Sequence, residues 1–273
     1  MSVSLRKAGK LESFPLESGG VAAERRHGRG AQTNRSGRYE PIAYEPQDDG
    51  WESLAERTLG PTLAALVPAV VKGIVQEAIL VDGGSTDETC LIAEAAGTQL
   101  IEAPRGRGTQ LDAGAAQAKG DWFLFLHADT VLDPGWAEEA ESFIERVESG
   151  RRRQAAAFFR FALDDDGLLP RLVETMVALR CFVFALPYGD QGLLISRNLY
   201  NRLGGFRPLP LMEDVDLVRR LNRREVVMLQ SRAVTSGERY RREGYVARAM
   251  RNLGCMLLYY LHVPPRVLAR IYG

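Results

Sequence analysis

Two apolar runs in this chain stop at an aspartate. Ala78, Ile79, Leu80 and Val81 lead into Asp82, and residues 122–126 (Trp122, Phe123, Leu124, Phe125, Leu126) lead into His127, Ala128 and Asp129. Short continuous apolar runs bounded by turn residues are buried strands. Carboxylates at the carboxyl ends of such strands converge on the crevice where open α/β sheets bind ligands. A third acidic cluster, Glu213, Asp214 and Asp216, follows the turn Gly204, Gly205 and Phe206. Three separate carboxylate sites suit a metal, a nucleotide and a base.

A chain of 273 residues with 45% hydrophobic content buries a sizeable core in one large domain or two small ones. Lys plus Arg and Asp plus Glu are both 35, so the net charge is zero and nothing global points to a nucleic-acid partner. Cys90, Cys181 and Cys255 are odd in number and lack the spacing of a metal knuckle or redox pair, which suits a reducing compartment. No apolar core of a secretory signal precedes Phe14, and a cytoplasmic location is expected.

Residues 1–50 are rich in Gly, Ser, Arg and Glu and predict a disordered extension ahead of a domain over 51–273. From Leu59 onward, helical and strand patterns alternate. A helix bent near Pro68 spans 61–75, strands cover 78–81, 99–103 and 122–126, and helices cover 88–96, 109–118 and 136–149. This alternation predicts an α/β layered fold with a mixed, mostly parallel sheet. Further on, a strand is expected over 155–163, a buried or interfacial helix over 168–186, a strand over 192–195, a helix over 214–224 and a short strand over 226–229. An amphipathic helix follows Gly244 and stops at Pro264 and Pro265.

Val81, Asp82, Gly83, Gly84, Ser85, Thr86 and Asp87 place a carboxylate at a strand end and two glycines at the mouth of a helix. Such a turn can receive a base, a ribose or an anion; it also serves as an ordinary strand-to-helix turn capped by Asp87. Asp129, beside His127, can hold a hard divalent ion whose other ligands are water and diphosphate oxygens. His127 itself also fits a hydrogen-bonded core histidine.

The ordered set of Asp82 to Asp87, Lys119-Gly120-Asp121, Leu126 to Asp129, Gly204-Gly205-Phe206 and Glu213-Asp214 resembles the inverting family-two glycosyltransferases of GT-A fold over residues 59–273. The stretches Pro104 to Gln110, Leu126 to Thr130, Pro187 to Gly192 and Pro210 to Val215 are similar to a bacterial subgroup associated with arsenosugar biosynthesis; a related branch glucosylates a carotenoid carboxylate. The resemblance implies a nucleotide-sugar donor and a small-molecule or lipid-like acceptor. It implies Asp82, Gly83, Gly84, Arg105, Arg107 and Gln110 as nucleotide-binding residues, Asp129 as ligand to Mg²⁺ or Mn²⁺, and Asp214 as the general base with Glu213 beside it. Asp190, Gln191 and Gly205 then belong to the acceptor or donor-sugar loops.

Two departures from that family stand out. The metal motif reads His127-Ala128-Asp129, without its first carboxylate, and the usual first strand with its Pro-x-x-Asn-Glu turn is not recognisable. Residues 1–58 contain no four-residue apolar run between their prolines, so the expectation is a first strand replaced or missing: a poorly paired gap in the sheet, or a makeshift strand near Ile42, with a cost in stability. The missing first strand leaves open a non-catalytic nucleotide-sugar binder. A nucleotidyltransferase is a further alternative suggested by Gly106, Arg107 and Gly108, although such a loop normally follows the first strand. Arg239, Arg241, Arg242, Arg248 and Arg251 flank the last apolar helix and read either as a solvated face or as a peripheral contact with an anionic membrane.

Overall fold

The computed structural model describes residues 1–5 and 51–272. In chain order the elements are β1 (Ser2–Leu5), α1 (Trp51–Ala64), α2 (Val67–Val71), β2 (Val75–Asp82), α3 (Thr89–Ala95), β3 (Gln99–Glu102), α4 (Arg107–Gln117), β4 (Trp122–Phe125), β5 (Thr130–Leu132) and α5 (Trp136–Glu148). The second half contributes β6 (Ala156–Leu163), α6 (Leu168–Phe184), β7 (Leu193–Ser196), α7 (Arg197–Leu203), α8 (Glu213–Val218), β8 (Val226–Thr235), α9 (Glu238–Glu243), α10 (Tyr245–Tyr260) and α11 (Pro265–Tyr272).

Among the described residues, eight strands form one sheet in the order β3-β2-β1-β4-β7-β6-β8-β5. The sheet is mixed, as expected, but not mostly parallel. Only the β2–β3 and β6–β8 pairs are parallel; β1–β2, β1–β4, β4–β7, β6–β7 and β5–β8 are antiparallel. The strand-helix alternation does make β2 and β4 run in the same direction, one strand apart. The strand inserted between them runs the other way.

That strand, β1, corrects the expectation of a gap. Val3 pairs with Ala78 on one side and Leu124 on the other, and the ladder continues to Leu5 on both sides with one irregularity between Ser4 and Leu5 against β2. The position near Ile42 lies outside the described residues, as does the rest of the expected extension beyond Leu5. Four residues suffice because both faces of β1 are buried. Val3 and Leu5 join the core with Leu80, Leu124 and Leu126 beneath α1 and α5, and burial of each contributes roughly 1.5–3 kcal/mol.

Ser2 and Ser4 occupy the opposite face, where α4 and the turn after it come too close for larger side chains. A Cβ on Gly114 would lie 2.4 Å from Ser2 Oγ, and one on Gly120 would lie 2.7 Å from the Leu5 carbonyl oxygen. Gly120 N donates to Ser4 Oγ at 2.5 Å. Serine and glycine are thus matched partners across this contact. On the same side of the sheet Ile79, Phe123, Phe125 and Ile195 form a second core with Leu199 and Tyr200 of α7.

Other boundaries follow the expectations with physical adjustments. The helix around Pro68 is two helices, because the chain breaks after Ala64 and restarts with Pro68 in the first turn of α2. The helix expected over 214–224 is only α8, and β8 runs to Thr235 rather than ending at Leu229. Pro264 and Pro265 stop α10 but open α11, since proline is well suited to a first helical turn.

Candidate active site

Five segments meet at the ends of β2 and β4. They are the 82–85 turn, the start of α4, residues 127–129, the turn over Gly189–Gln191, and the start of α8. A cavity of about 20 Å³, room for roughly one water, is lined by Phe125, His127, Gly189, Glu213 and Asp214 among others.

The Asp82 carboxylate is buried and accepts from Gly84 N at 2.9 Å and Ser85 N at 3.1 Å. Burial pushes its pKa up, but the Ser85 side chain and the amides of Gly84, Ser85 and Gly83 outweigh that and hold it below the ordinary carboxylate value. Gln110 closes the turn from the other side: its Nε2 donates to the Val81 carbonyl at 3.0 Å and its Oε1 accepts from Gly106 N at 3.4 Å. A Cβ on Gly83 would sit 2.9 Å from Gln110 Nε2, so Gly83 lets these two loops touch, and Gly84 supplies a φ of +98°. Arg105, exposed, lies in the loop facing Gly83. Five of the six nucleotide residues expected from sequence, all but Arg107, therefore form one unit, with Asp82 and Gln110 as its internal fastenings.

Arg107 stands apart from that unit and reaches into the acidic centre. Its Nε lies 3.0 Å from Glu213 Oε1 and its guanidinium is 2.5 Å from His127 Nε2. Gly108 next to it is obligatory, since a Cβ there would fall 2.0 Å from the Arg207 carbonyl oxygen. An arginine only donates, so His127 Nε2 must be the acceptor and the ring proton resides on Nδ1, 4.0 Å from Asp129 Oδ1. Burial, together with Arg107, the Met1 ammonium and Arg239, holds the His127 pKa well below its ordinary value. The imidazole is neutral and hydrogen-bonded at the edge of the cavity.

Around this axis three carboxylates are shifted upward. Burial raises Asp129, against the pull of Arg239 and Arg107. Burial also raises Asp190 to about 6, opposed by Arg180 and reinforced by Asp214, and its Oδ1 is buried without a hydrogen-bond partner. Glu213 is fully buried and rises to about 7 through burial, with Arg107 opposing and Asp214 adding to the shift. It is ion-paired with Arg107 but not in hydrogen-bonding geometry. Asp214, half-buried, accepts from Gly189 N at 2.7 Å through Oδ2 and from Val215 N at 2.7 Å through Oδ1. Opposed cations and anions packed away from water are the pattern of a functional centre.

Several residues that the sequence did not single out hold this centre together. A Cβ on Gly189 would lie 3.0 Å from His127 Nε2 and 3.2 Å from Asp214 Oδ2, so only glycine leaves them their positions. Met212 takes a left-handed φ of 66° immediately before α8. The end of β8 ties two acidic residues together, with Ser236 N donating to the Asp129 carbonyl and Thr235 Oγ1 to that of Asp190. The only advance signals were the glycine before Asp190 and the Thr-Ser pair at the end of an apolar stretch.

Two expected loop residues do structural work. Gln191 is buried and its amide bonds Phe159 O, Tyr188 N and Cys181, which fixes the turn that carries Asp190. Gly205, at φ +65°, packs against Asp112 and Tyr200. The basic stretch also divides. Arg248 is buried against Glu243, and Arg239 is close enough to Asp129 to affect it and is lowered to about 10 by burial, so neither belongs to a solvated face.

Residues 53–208, more than half of the chain, match the family model for glycosyl transferase family 2, and the chain belongs to that family. Glucosyl-3-phosphoglycerate synthase of Mycolicibacterium paratuberculosis is 32% identical over 85 residues, 28% of this chain and 26% of that protein. An uncharacterized glycosyltransferase of Rickettsia bellii is 38% identical over 72 residues, 26% of this chain and 24% of that protein. The match thus spans about a quarter of the length of these curated relatives. Among solved structures, the Mycobacterium tuberculosis glucosyl-3-phosphoglycerate synthase in complex with phosphoglyceric acid aligns at 22% identity and a TM-score of 0.48, over 67% of this chain and 66% of that one.

Proposed function

We propose that this protein transfers a sugar from a nucleotide-diphosphate donor to a hydroxyl or carboxylate of a small or lipid-like acceptor, with inversion at the anomeric carbon. One observation carries the reading: in a chain of this family, Asp129, Asp190 and Asp214 share one buried centre with Arg107, beside a fastened turn at Asp82. The narrower similarity to the arsenosugar-associated subgroup, or to the carotenoid-carboxylate branch, is a proposal about the acceptor and rests on the loop motifs alone.

Asp214 is the proposed base. Gly189 N and Val215 N fix both of its oxygens, so the carboxylate is oriented before substrate arrives. With a hydroxyl acceptor it takes the proton as the acceptor oxygen forms its bond to the anomeric carbon and the bond to the diphosphate oxygen breaks; a carboxylate acceptor attacks already deprotonated. Arg107 supplies positive charge to the departing diphosphate, and Glu213 positions Arg107. The nucleoside lies along the 82–85 turn and the 105–108 loop, and Asp190 offers its unpartnered oxygen to a sugar or acceptor hydroxyl.

The donor set accommodates Mg²⁺ or Mn²⁺ only in part. Among the described residues no three His, Cys, Asp or Glu side chains converge as a cage. Asp129, and the open oxygen of Asp190, offer hard oxygen donors of the kind such ions take alongside diphosphate and water. When bound, such an ion neutralises diphosphate charge.

A non-catalytic binder was attractive only if the sheet lacked its central strand, and β1 removes that ground. The test is a donor-hydrolysis assay with UDP-sugars and Mn²⁺, run on the native protein and on Asp214→Asn. Turnover should fall by ~100-fold or more with donor affinity retained. Unchanged turnover in the variant excludes Asp214 as the base, and no turnover of any donor by the native protein returns the reading to a binder.

A further inference from the structure

Helix α6 carries two apolar faces. Val173 and Cys181 are buried, with Val173 packing against Phe161 and Leu163 of β6. Leu168, Leu172, Met176, Leu179 and Phe182 recur at three- and four-residue spacing and are all exposed, Leu168 by 89% and Phe182 by 81%. Helix α10 repeats the arrangement. Its inner side, with Cys255 and Leu258, packs on Leu211, Met212 and Val215 next to the active site. Val246, Met250, Leu253, Leu257 and then Leu261 form an exposed stripe at the same spacing. The two helices contact each other, and α11 adds exposed Val267 and Ile271. Single exposed apolar residues are ordinary, but paired stripes of this length on adjoining helices mark an interaction surface.

We infer that this α6–α10–α11 surface docks on an anionic lipid bilayer. Charge selects the occupant: Arg266 and Arg270 are exposed beside Val267 and Ile271, and residues 244–273 carry no acidic side chain to offset them, Arg248 and Arg251 being paired with Glu243. An amphipathic helix with apolar residues on one side and arginines flanking them lies in the headgroup region, gaining from apolar burial and from anionic lipid together. Spanning is not at issue, because none of the described helices is long and apolar enough to cross a membrane. Because α10 also braces the segment that leads into Asp214, docking would set the active site at a fixed distance from the lipid surface. The inference goes beyond the proposed transfer reaction and does not depend on it.

The test uses the full chain and sedimentation with two kinds of vesicle, phosphatidylcholine alone and phosphatidylcholine mixed with phosphatidylglycerol. Binding to the mixed vesicles is expected, weakened by salt, and reduced by ~10-fold or more when Leu179→Glu and Leu257→Glu are combined. UDP binding by that double variant, measured separately by calorimetry, should match the native protein, which separates loss of docking from loss of fold or of the nucleotide site. The inference is overturned if the native protein ignores the mixed vesicles or if the double variant binds them equally. It is also overturned if ultracentrifugation shows a dimer that the same substitutions dissociate, for the surface then belongs to a second copy.

Discussion

Asp82 and Asp129 each follow a buried strand, and their surroundings oppose one another. Asp82 spends its charge on the amides of its own turn and titrates below the ordinary value. Asp129, with Asp190 and Glu213, is desolvated without matching hydrogen bonds and titrates above it. The same residue type at the same kind of position therefore has two jobs. The first carboxylate fastens its own loop, and the second group keeps charge away from water; the proposed nucleoside and diphosphate sites correspond to these two arrangements.

The comparison can be broken most severely at Gly189. Gly189→Ala places a methyl group against His127 and Asp214 and touches only side-chain ends, so the fold should persist while donor turnover drops by up to ~100-fold. Circular dichroism alongside the hydrolysis assay checks both halves; turnover within twofold of native would show that Asp214 needs no such fixing.

A smaller effect is expected on the other side. Asp82→Asn replaces an acceptor of several amide protons by a group that must donate from one end, which costs ~1–3 kcal/mol through the groups left unpaired. Thermal unfolding should shift down accordingly, with the metal dependence of nucleotide binding kept. Loss of that dependence would place Asp82 in the acidic centre and erase the distinction.

The smallest predicted effect is a pH slope. Glu213 has a folded-state pKa of about 7 against an ordinary 4.5, so between those values the folded protein keeps a proton that the unfolded chain has released. Its contribution to stability therefore declines as pH rises through that window. Glu213→Gln should flatten this part of the Tm profile, each kcal/mol amounting to about 2–4 °C. A parallel profile in the variant would assign the slope to other groups.

Much of this architecture was legible in advance, for reasons that the misses make plain. The strands ending at Asp82 and Asp129 announce themselves as apolar runs, whereas the cap position of the helix after Asp82 falls at Glu88, one residue beyond the expected Asp87, which still accepts from Thr89 N at 3.1 Å. Strand β1 did not, since half of it is serine and its fit depends on Gly114 and Gly120, more than a hundred residues away. Its direction, which makes the sheet more antiparallel than expected, is likewise a tertiary property. At the site, carboxylate types and positions can be read, but not that both ends of the Gln110 amide fasten backbone between the two loops. Gly189 and Thr235 act through geometry that no local pattern encodes.

Calorimetric titration of UDP with Mn²⁺ present and with EDTA, on the native protein and on Asp129→Ala, decides whether the acidic centre rather than the Asp82 turn takes a cation-bearing donor. Strong binding is expected only with Mn²⁺ in the native protein, with no difference between the two conditions in the variant. Equal binding by the native protein with Mn²⁺ and with EDTA would contradict that expectation.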